Sequence, residues 1–396
     1  MVGAERRAFY LVVVIAGIGL GITYPLTSLY AMALGAGATL AGLTVATIVL
    51  GMLAVDVLGT RFVPRLDGRT ALSWSLLVYG AGCLIAAVGP SLPWLLVARL
   101  FEGAGCAVFM TGGLQLVVRL SRDHDRGRSI GLFNLFWFAG LAVGPLIGGA
   151  LADLRPGESG LRLAFFVCGL TNMAGAVFAR LTLAAYPSGR TPEIGWPRLT
   201  GLATPRTGLA LALGGFGEAI RDAVQMMIIP MVGVAALRLT GVQIGTVLAI
   251  MAVTDVLSMA LSGAVTDRWG RRRPLTGLLL LGAGVALFGL GIHDLPGFVV
   301  VMSALGISLG AVWVVPQAMV VDLAADRESS LAAYRITADI GLFVGVVGAG
   351  AVVDRIDGTA VFLGVAVALL AGAALTRAVG ETRNRTVLVP QPEVVA

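Results

Sequence analysis

Twelve apolar runs separated by short polar breaks set out the plan of the chain. They cover residues 9–34, 38–58, 71–88, 94–118, 129–152, 162–184, 207–232, 241–262, 275–292, 297–321, 331–353 and 359–379. A helix needs about 20 apolar residues to cross a hydrocarbon core, so each run predicts one transmembrane helix. Turn-forming residues mark the breaks: Gly35 and Gly37, Gly89-Pro90, Pro156-Gly157, and Asp294 with Pro296. The longest polar interruption, Tyr186 to Arg206, holds four prolines. It predicts a linker, which divides the chain into a six-helix half over 1–185, the linker over 186–206, and a second six-helix half over 207–380. A polar tail over 381–396 is expected to be disordered. The first run follows Arg6 and Arg7 and extends to Leu34 without a clear cleavage site, so it reads as a retained span rather than a leader.

The halves repeat weakly. Gly140, Gly144, Gly149 and Asp153 recur 201 residues later as Gly341, Gly345, Gly350 and Asp354, and Gly59 recurs 204 later as Gly263. The expected fold is therefore all-α and integral to the membrane, with twelve transmembrane helices in two pseudo-symmetric six-helix halves.

Composition agrees with the pattern. Hydrophobic residues make up 57% and charged ones 13%, against about 25% charged in soluble domains. Mean hydropathy is +0.92. The 55 glycines would weaken soluble helices, but in a bilayer they let helices pack closely. A net charge of +6 could suggest nucleic acid, yet its distribution points elsewhere. All 28 basic residues are Arg, and with a cytoplasmic N-terminus 21 of them fall on the cytoplasmic side. Only Arg155, Arg162, Arg238 and Arg355 face the other way, while Arg99, Arg221 and Arg335 lie inside spans. This is the asymmetry that orients membrane proteins, with both termini expected in the cytoplasm of a cell-membrane protein. Cys83, Cys106 and Cys168 lie inside apolar runs and read as core, and His124 and His293 fall in loops on opposite faces, so no metal site is expected.

The stretch Gly263 to Leu275, GAVTDRWGRRRPL, packs charge between two apolar runs. An ordinary orienting hairpin explains its arginines but not an Asp and two glycines at these offsets. The pattern resembles the loop signature of the major facilitator superfamily, matching at Gly263, Asp267, Arg268, Gly270, Arg271 and Arg272. The resemblance implies a gating role, with Asp267 near the start of a helix in the other half, close to Ser129. The first-half version, GTRFVPRLDGR from Gly59, has Val63 where the Asp belongs. In the fifth span Gly140, Gly144, Pro145, Gly148 and Gly149 resemble the motif associated with antiporters in that superfamily. Gly140, Gly144 and Gly148 line one helix face, a packing surface in any reading. In the fourth span Arg99, Glu102, Gly103 and Gly105 are similar to a family segment in which the Arg handles protons, with Glu in place of Gln. The two charges could equally neutralise each other at i, i+3.

The seventh span holds Glu218, Arg221 and Asp222 near the middle of the bilayer, on one helical face. One Arg cannot balance two carboxylates, so one acid takes a proton or faces an aqueous cavity; the bland alternative is an ion pair beside a buried neutral acid. Asp255 and Asp339 are further intramembrane acids, with Arg335 one turn from Asp339 and Asp56 interfacial. Together, Glu218, Arg221, Asp222, Asp255, Asp339, Arg99 and Glu102 form the proton-coupling candidates. Tyr24, Pro25, Asn134, Trp137, Gln225, Met226, Trp313 and Gln317 are candidates for lining a substrate cavity, although aromatic and Met residues are also ordinary core.

The chain most resembles the superfamily's twelve-helix drug/proton antiporters, and that resemblance implies a proton-coupled exporter of a small amphipathic drug-like compound or metabolite, acting as a monomer in the bilayer with a small molecule and protons as partners and no cofactor. An importer on the same fold differs only in the direction of coupling. A membrane enzyme would need a nucleophile–base pair, a metal cluster or a phosphate loop, and none stands out. A sensor would bind without transport and would not need unbalanced acids. The topology makes a direct prediction: Arg271→Cys and Arg355→Cys should react with an impermeant maleimide from opposite sides of the membrane. Labelling from the same side would refute it.

Overall fold

A computed structural model describes residues 3–58, 66–121, 126–185, 204–324, 327–356 and 358–383. The described chain is helical. The first six spans are α1 (Gly3–Ala33), α2 (Ala38–Leu58), α3 (Gly68–Val88), α4 (Leu92–Leu120), α5 (Arg126–Asp153) and α6 (Glu158–Thr182). The seventh span is a composite of α7 (Pro205–Ala223), one π turn (Val224–Ile228) and α8 (Ile229–Ala235). The last five are α9 (Gly241–Trp269), α10 (Arg272–Gly289), α11 (Leu295–Leu323), α12 (Arg327–Val353) and α13 (Val361–Val379). Ten of these helices are long and apolar enough to cross a membrane. The two other spans are the composite one, which carries Glu218, Arg221 and Asp222, and α10, which begins with Arg272 and Arg273.

The turn residues end and start helices as their chemistry requires. Thr240 and Gln243 form a reciprocal capping box at the start of α9, and the Asp294 side chain accepts from the N–H of Gly297 at the start of α11. Two boundaries differ from the sequence expectation. The apolar run ends at 262, but α9 continues to Trp269, because charge does not stop a helix that has left the hydrocarbon. Gly263, Asp267 and Arg268 therefore lie on its last turns. Gly270 stops it, at φ 90°, where a side chain would be strained. What was expected to be a loop is a tight corner.

The second difference is the tail. Residues 381–383 are ordered against that corner, while the rest of the expected tail lies outside the described residues. The Glu381 carboxylate accepts from the backbone N–H of Arg271 at 2.8 Å and of Arg272 at 3.2 Å, capping α10. Partial burial pushes this carboxyl up, but the N–H groups of Arg271, Arg383, Arg272 and Thr382 outweigh it and hold the group below the usual Glu range. Arg206 donates to the carbonyls of Val379 and Glu381, which ties the start of α7 to the end of α13. The first-half counterpart of the corner (59–65), most of the expected linker (186–203) and His124 lie outside the described residues.

Helix pairing shows the repeat directly. In the first half α1 packs on α5 and α6, α3 on α4 and α6, and α2 on α4. In the second half α7 packs on α12 and α13, α10 on α11 and α13, and α9 on α11. The halves meet along two equivalent seams, α5 against α9 and α2 against α12, with α1 touching the π turn and α8 between them.

Glycine permits the closest approaches. A Cβ on Gly144 would stand 2.5 Å from the Cα of Gly21, and one on Gly148 would stand 3.1 Å from the carbonyl oxygen of Ile22. The Gly140, Gly144, Gly148 face thus seats α5 on α1 inside the first half. In the second half Gly341 and Gly345 meet the backbone of Gly215 and Ala219 in the same way. Gly144→Leu should insert into the membrane normally yet lose thermal stability, since its packing partner is backbone. Gly131→Ala, in the same helix but with open space around it, is the control. Equal melting temperatures for the two variants in detergent would contradict this packing.

Candidate functional site

The interior of α7 is where the polar sequence meets the fold. Glu218, Arg221 and Asp222 are 5%, 7% and 3% exposed, and Asp255 on α9 is 1% exposed. The Arg221 guanidinium engages Asp255 with two donors, Nη2 at 2.7 Å and Nε at 3.1 Å from Oδ2. Its Nη1 lies 3.5 Å from Asp222 Oδ1 and 3.8 Å from Glu218 Oε2. Gln225 Nε2 also donates to Asp255 Oδ2, at 3.3 Å. Three carboxylates therefore share one guanidinium. Oε1 of Glu218 and Oδ1 of Asp255 are buried without a hydrogen-bond partner. Removing an ion from water costs several kcal/mol even after relaxation, so the surplus charge calls for a proton, water or a cationic group.

The first half supplies neutral donors to this cluster. The Tyr24 hydroxyl on α1 donates to Asp222 Oδ1 at 3.4 Å. One turn on, the Ser28 hydroxyl donates to the backbone carbonyl of Met226 at 2.9 Å. That carbonyl is free because residue 230, its normal helical partner, is Pro230 and has no N–H. The π turn lies at the same place, with the N–H of Ile229 reaching the carbonyl of Val224.

A cavity of about 30 Å³ lies beside the cluster, bounded by Tyr24, Pro25, Phe138, Gln225, Leu248 and Asp255 among others. It has room for a water or two but not for an organic molecule. Phe138 of α5, which lines it, meets Trp313 of α11 edge to face, at 5.6 Å between ring centroids.

Several sequence candidates fall together and others do not. Tyr24, Pro25, Gln225, Arg221 and Asp255 converge on the cavity, while Trp313 packs on Phe138 without lining it. The Met226 side chain is fully buried, and only its carbonyl points to α1. Trp137 stacks on Phe109 at 5.5 Å inside the first half. Asn134 is exposed and Gln317 half-buried. Arg335 reaches across the halves to Asp56, at 3.7 Å, instead of to Asp339, whose Oδ2 is buried without a partner. Arg99 and Glu102 form a fully buried ion pair on α4. It lies beside α3, where a Cβ on Gly82 would touch Glu102.

Among the described residues, the corner's ion pairs lie within its own half: Asp267 pairs with Arg271 at 2.9 Å, and Arg271 also reaches Asp322 of α11 at 3.2 Å. Cys83 and Cys168 are neighbouring free thiols, 3.6 Å apart between α3 and α6. Among the described residues, no three side chains are grouped to hold a metal.

Sequence reasoning missed Ser28 and Phe138, and it held Asp255 in reserve although it is Arg221's main partner. Pro230 was the available signal for the first, since it frees a carbonyl four residues back. Nothing local connects Asp255 to Arg221, because they lie on separate helices. Arg221→Gln should destabilise the protein by about 3–5 kcal/mol, since three buried acids lose their cation. Adding Asp255→Asn should recover part of that loss. Additive destabilisation in a detergent melting series would count against the pairing.

A sequence profile of the Major Facilitator Superfamily matches residues 9–213 and 211–393. The chain is 25% identical over 169 residues to "Multidrug resistance protein 1" of Bacillus subtilis, a match covering 43% of this chain and 42% of that protein. It is 23% identical over 162 residues to "Quinolone resistance protein NorA" of Staphylococcus aureus, covering 41% and 40%. The chain thus spans about two fifths of the length of these curated relatives. Its fold is similar to a bacterial homologue of the human lysosomal transporter Spinster in an inward-facing, unoccupied conformation, with a TM-score of 0.75, 15% identity and 96% of each chain covered. It is also similar to the nucleoside transporter NupG, with a TM-score of 0.77 and 12% identity, over 95% of this chain and 100% of that one.

Proposed function

The chain belongs to the major facilitator superfamily of secondary transporters, and from that premise we propose that it exports a small amphipathic compound in exchange for protons. The observation that carries the proposal is the cluster of Glu218, Asp222 and Asp255 around the single Arg221, buried where the two halves meet. The partial matches to proteins named for multidrug and quinolone resistance, and the Gly-Pro motif of α5, support the direction of transport. The arginine-rich face, with the α9–α10 corner, is taken as cytoplasmic.

Asp255 acts as the resident counter-ion of Arg221, being the acid it holds by two donors. Glu218 and Asp222 are then the surplus pair, and the coupling proton belongs to them. When the cavity opens to the outside, a proton loads onto this pair. When it opens to the cytoplasm, arriving substrate competes for the same negative site and the proton leaves. Tyr24 places a hydroxyl of the other half on Asp222, so the proton's presence is felt across the interface. Phe138, Trp313 and Leu248 supply an apolar surface for an amphipathic substrate once the halves separate.

Purified protein in proteoliposomes, with an imposed pH gradient and a panel of amphipathic compounds, tests the reading. Glu218→Gln or Asp222→Asn should abolish uphill accumulation by at least tenfold while sparing downhill exchange. Arg99→Gln should leave the pH dependence of transport in place. If the double Glu218→Gln, Asp222→Asn variant still accumulated substrate against its gradient, coupling would have to reside at Asp339 or Glu102. Accumulation in the same direction as the protons would make the chain an importer.

A further inference from the structure

We propose that Asp153 and Asp354 are paired gating residues, two equivalent latches that close the face opposite the arginine-rich one and set how often it opens. The proposal rests on the alternating-access reading above. Asp153, the last residue of α5, belongs to the first half. Its Oδ1 accepts from the N–H of Gly241 at 2.7 Å, and its Oδ2 from the N–H of Val242 at 2.8 Å. These are the first two N–H groups of α9, in the second half. Asp354, just past α12, belongs to the second half. Its Oδ1 accepts from the N–H of Ala38 at 2.8 Å, and its Oδ2 from the N–H of Thr39 at 2.9 Å. These are the first two N–H groups of α2, in the first half. Each carboxylate thus spans a seam and binds a helix start with both oxygens. Such N–H groups have no partner within their own helix, and the helix dipole favours an anion there.

The backbone beneath each latch leaves no slack. A Cβ on Gly149 would collide with the carbonyl of Gly241, and one on Gly350 with the carbonyl of Ala38. About one turn deeper, Gly245 lies against the carbonyl of Pro145, and Gly42 lies against the carbonyl of Val346. The two seams match in every one of these positions, although the sequence keeps proline in only one of them. With backbone on backbone, there is no flexible side chain that could stretch while the helix ends move apart. Opening this face therefore has to release both carboxylates. Both lie at the water-facing end, so their release exposes no unpaired buried charge.

The latches are unequal in strength. At α9 the chain supplies its own cap, Thr240, which takes the N–H of Gln243 and leaves the two before it to Asp153. The residue before α2 is Gly37, which has no side chain to cap with, so α2 relies on Asp354. Asp354 also accepts from the Thr39 hydroxyl, where α9 has only Val242. The Thr39 hydroxyl and N–H, with the N–H of Ala38, hold the Asp354 carboxyl below the usual Asp range. The α2 latch should be the tighter one.

The test is a distance. Nitroxides at Val88→Cys and Phe288→Cys, exposed positions at the ends of α3 and α10 on this face, report its opening, while native Cys83, Cys106 and Cys168 are buried. An asparagine has one acceptor oxygen and no charge, so each Asp→Asn change removes a hydrogen bond and the dipole contact. Asp153→Asn and Asp354→Asn should each raise the ratio of long to short distances roughly threefold to tenfold. Asp354→Asn should do so more strongly, and the double variant should approach the product. Thr39→Val, which removes only a hydroxyl, should give a smaller shift of the same sign and serves if the double variant does not fold. An unchanged distance distribution in both single variants and in Thr39→Val would overturn the proposal, as would a larger shift from Asp153→Asn than from Asp354→Asn. Transport measured on the same samples separates the two readings: a shift in distance without any transport by the wild type leaves the latches standing and removes the exporter.

Discussion

An arginine buried between membrane helices must keep its counter-charge close, and the pairing of Arg221 with Asp255 meets that constraint. Both residues belong to the second half, as do Glu218 and Asp222. Among the described residues, the first half brings no charge to this centre. It offers a tyrosine hydroxyl to Asp222 and a serine hydroxyl to the carbonyl of Met226. The consequence is mechanical. Separating the halves at the centre breaks hydrogen bonds from neutral donors but no buried ion pair. Among the described residues, Asp56 and Arg335 form an ion pair that does cross, but with side chains 33% and 41% exposed and 3.7 Å apart, water can replace it.

The glycines of α5 serve two directions at once. Gly140, Gly144 and Gly148 face α1 and bind α5 into its own half, whereas Gly149 and the Pro145 carbonyl face α9 across the seam. A helix has room for both because residues three, four and eight apart share a face while their neighbours point away. The proline removes a backbone donor inside α5, which deprives the Leu141 carbonyl of its helical partner, and that carbonyl lies against Gly21 of α1. In the second half Val346 occupies the matching place and packs its carbonyl on Gly42 without a proline. The close approach therefore depends on the small residue opposite more than on the proline.

Much of this architecture was legible in the sequence, and the parts that were not share a cause. The spans could be read because bilayer thickness fixes the length of an apolar run. The repeat could be read because Gly140 and Gly144 must recur if the two halves pack alike inside, and Gly149 and Asp153 if the two seams have the same geometry. The cluster on α7 could be read as far as its own face, since i, i+3 and i+4 are local relations. Its pairing with Asp255 could not, because that depends on how α9 lies beside α7. Trp137 and Met226 show the same limit: each suits a cavity by composition, yet one stacks on Phe109 and the other is wholly enclosed. The extension of α9 to Trp269 was hidden for a different reason, because hydropathy marks where hydrocarbon ends rather than where a helix ends. Glu381 was read as tail because its partners, the N–H groups of Arg271 and Arg272, lie about 110 residues away.

The strengths of the contacts decide where a transporter of this design can be switched. Breaking a buried ion pair costs about 3–5 kcal/mol, and two such pairs at the rim would exceed the roughly 4 kcal/mol that a millimolar ligand supplies. A carboxylate on an exposed helix start contributes about 0.3–1 kcal/mol through the dipole, with about 0.5–1.5 kcal/mol for a hydrogen bond. The latches at Asp153 and Asp354 hold five such hydrogen bonds between them, but at the water-facing rim water takes each one over as it breaks. The central cluster is different, because its charge cannot leave the low dielectric and must be rebalanced where it stands. The fold therefore keeps this cluster within one half, on α7 and α9, and the buried Arg99–Glu102 pair within the other, so neither has to break when the halves separate. In the proposed cycle, the contacts that break are those at the water-facing rim, where solvent can take over their hydrogen bonds.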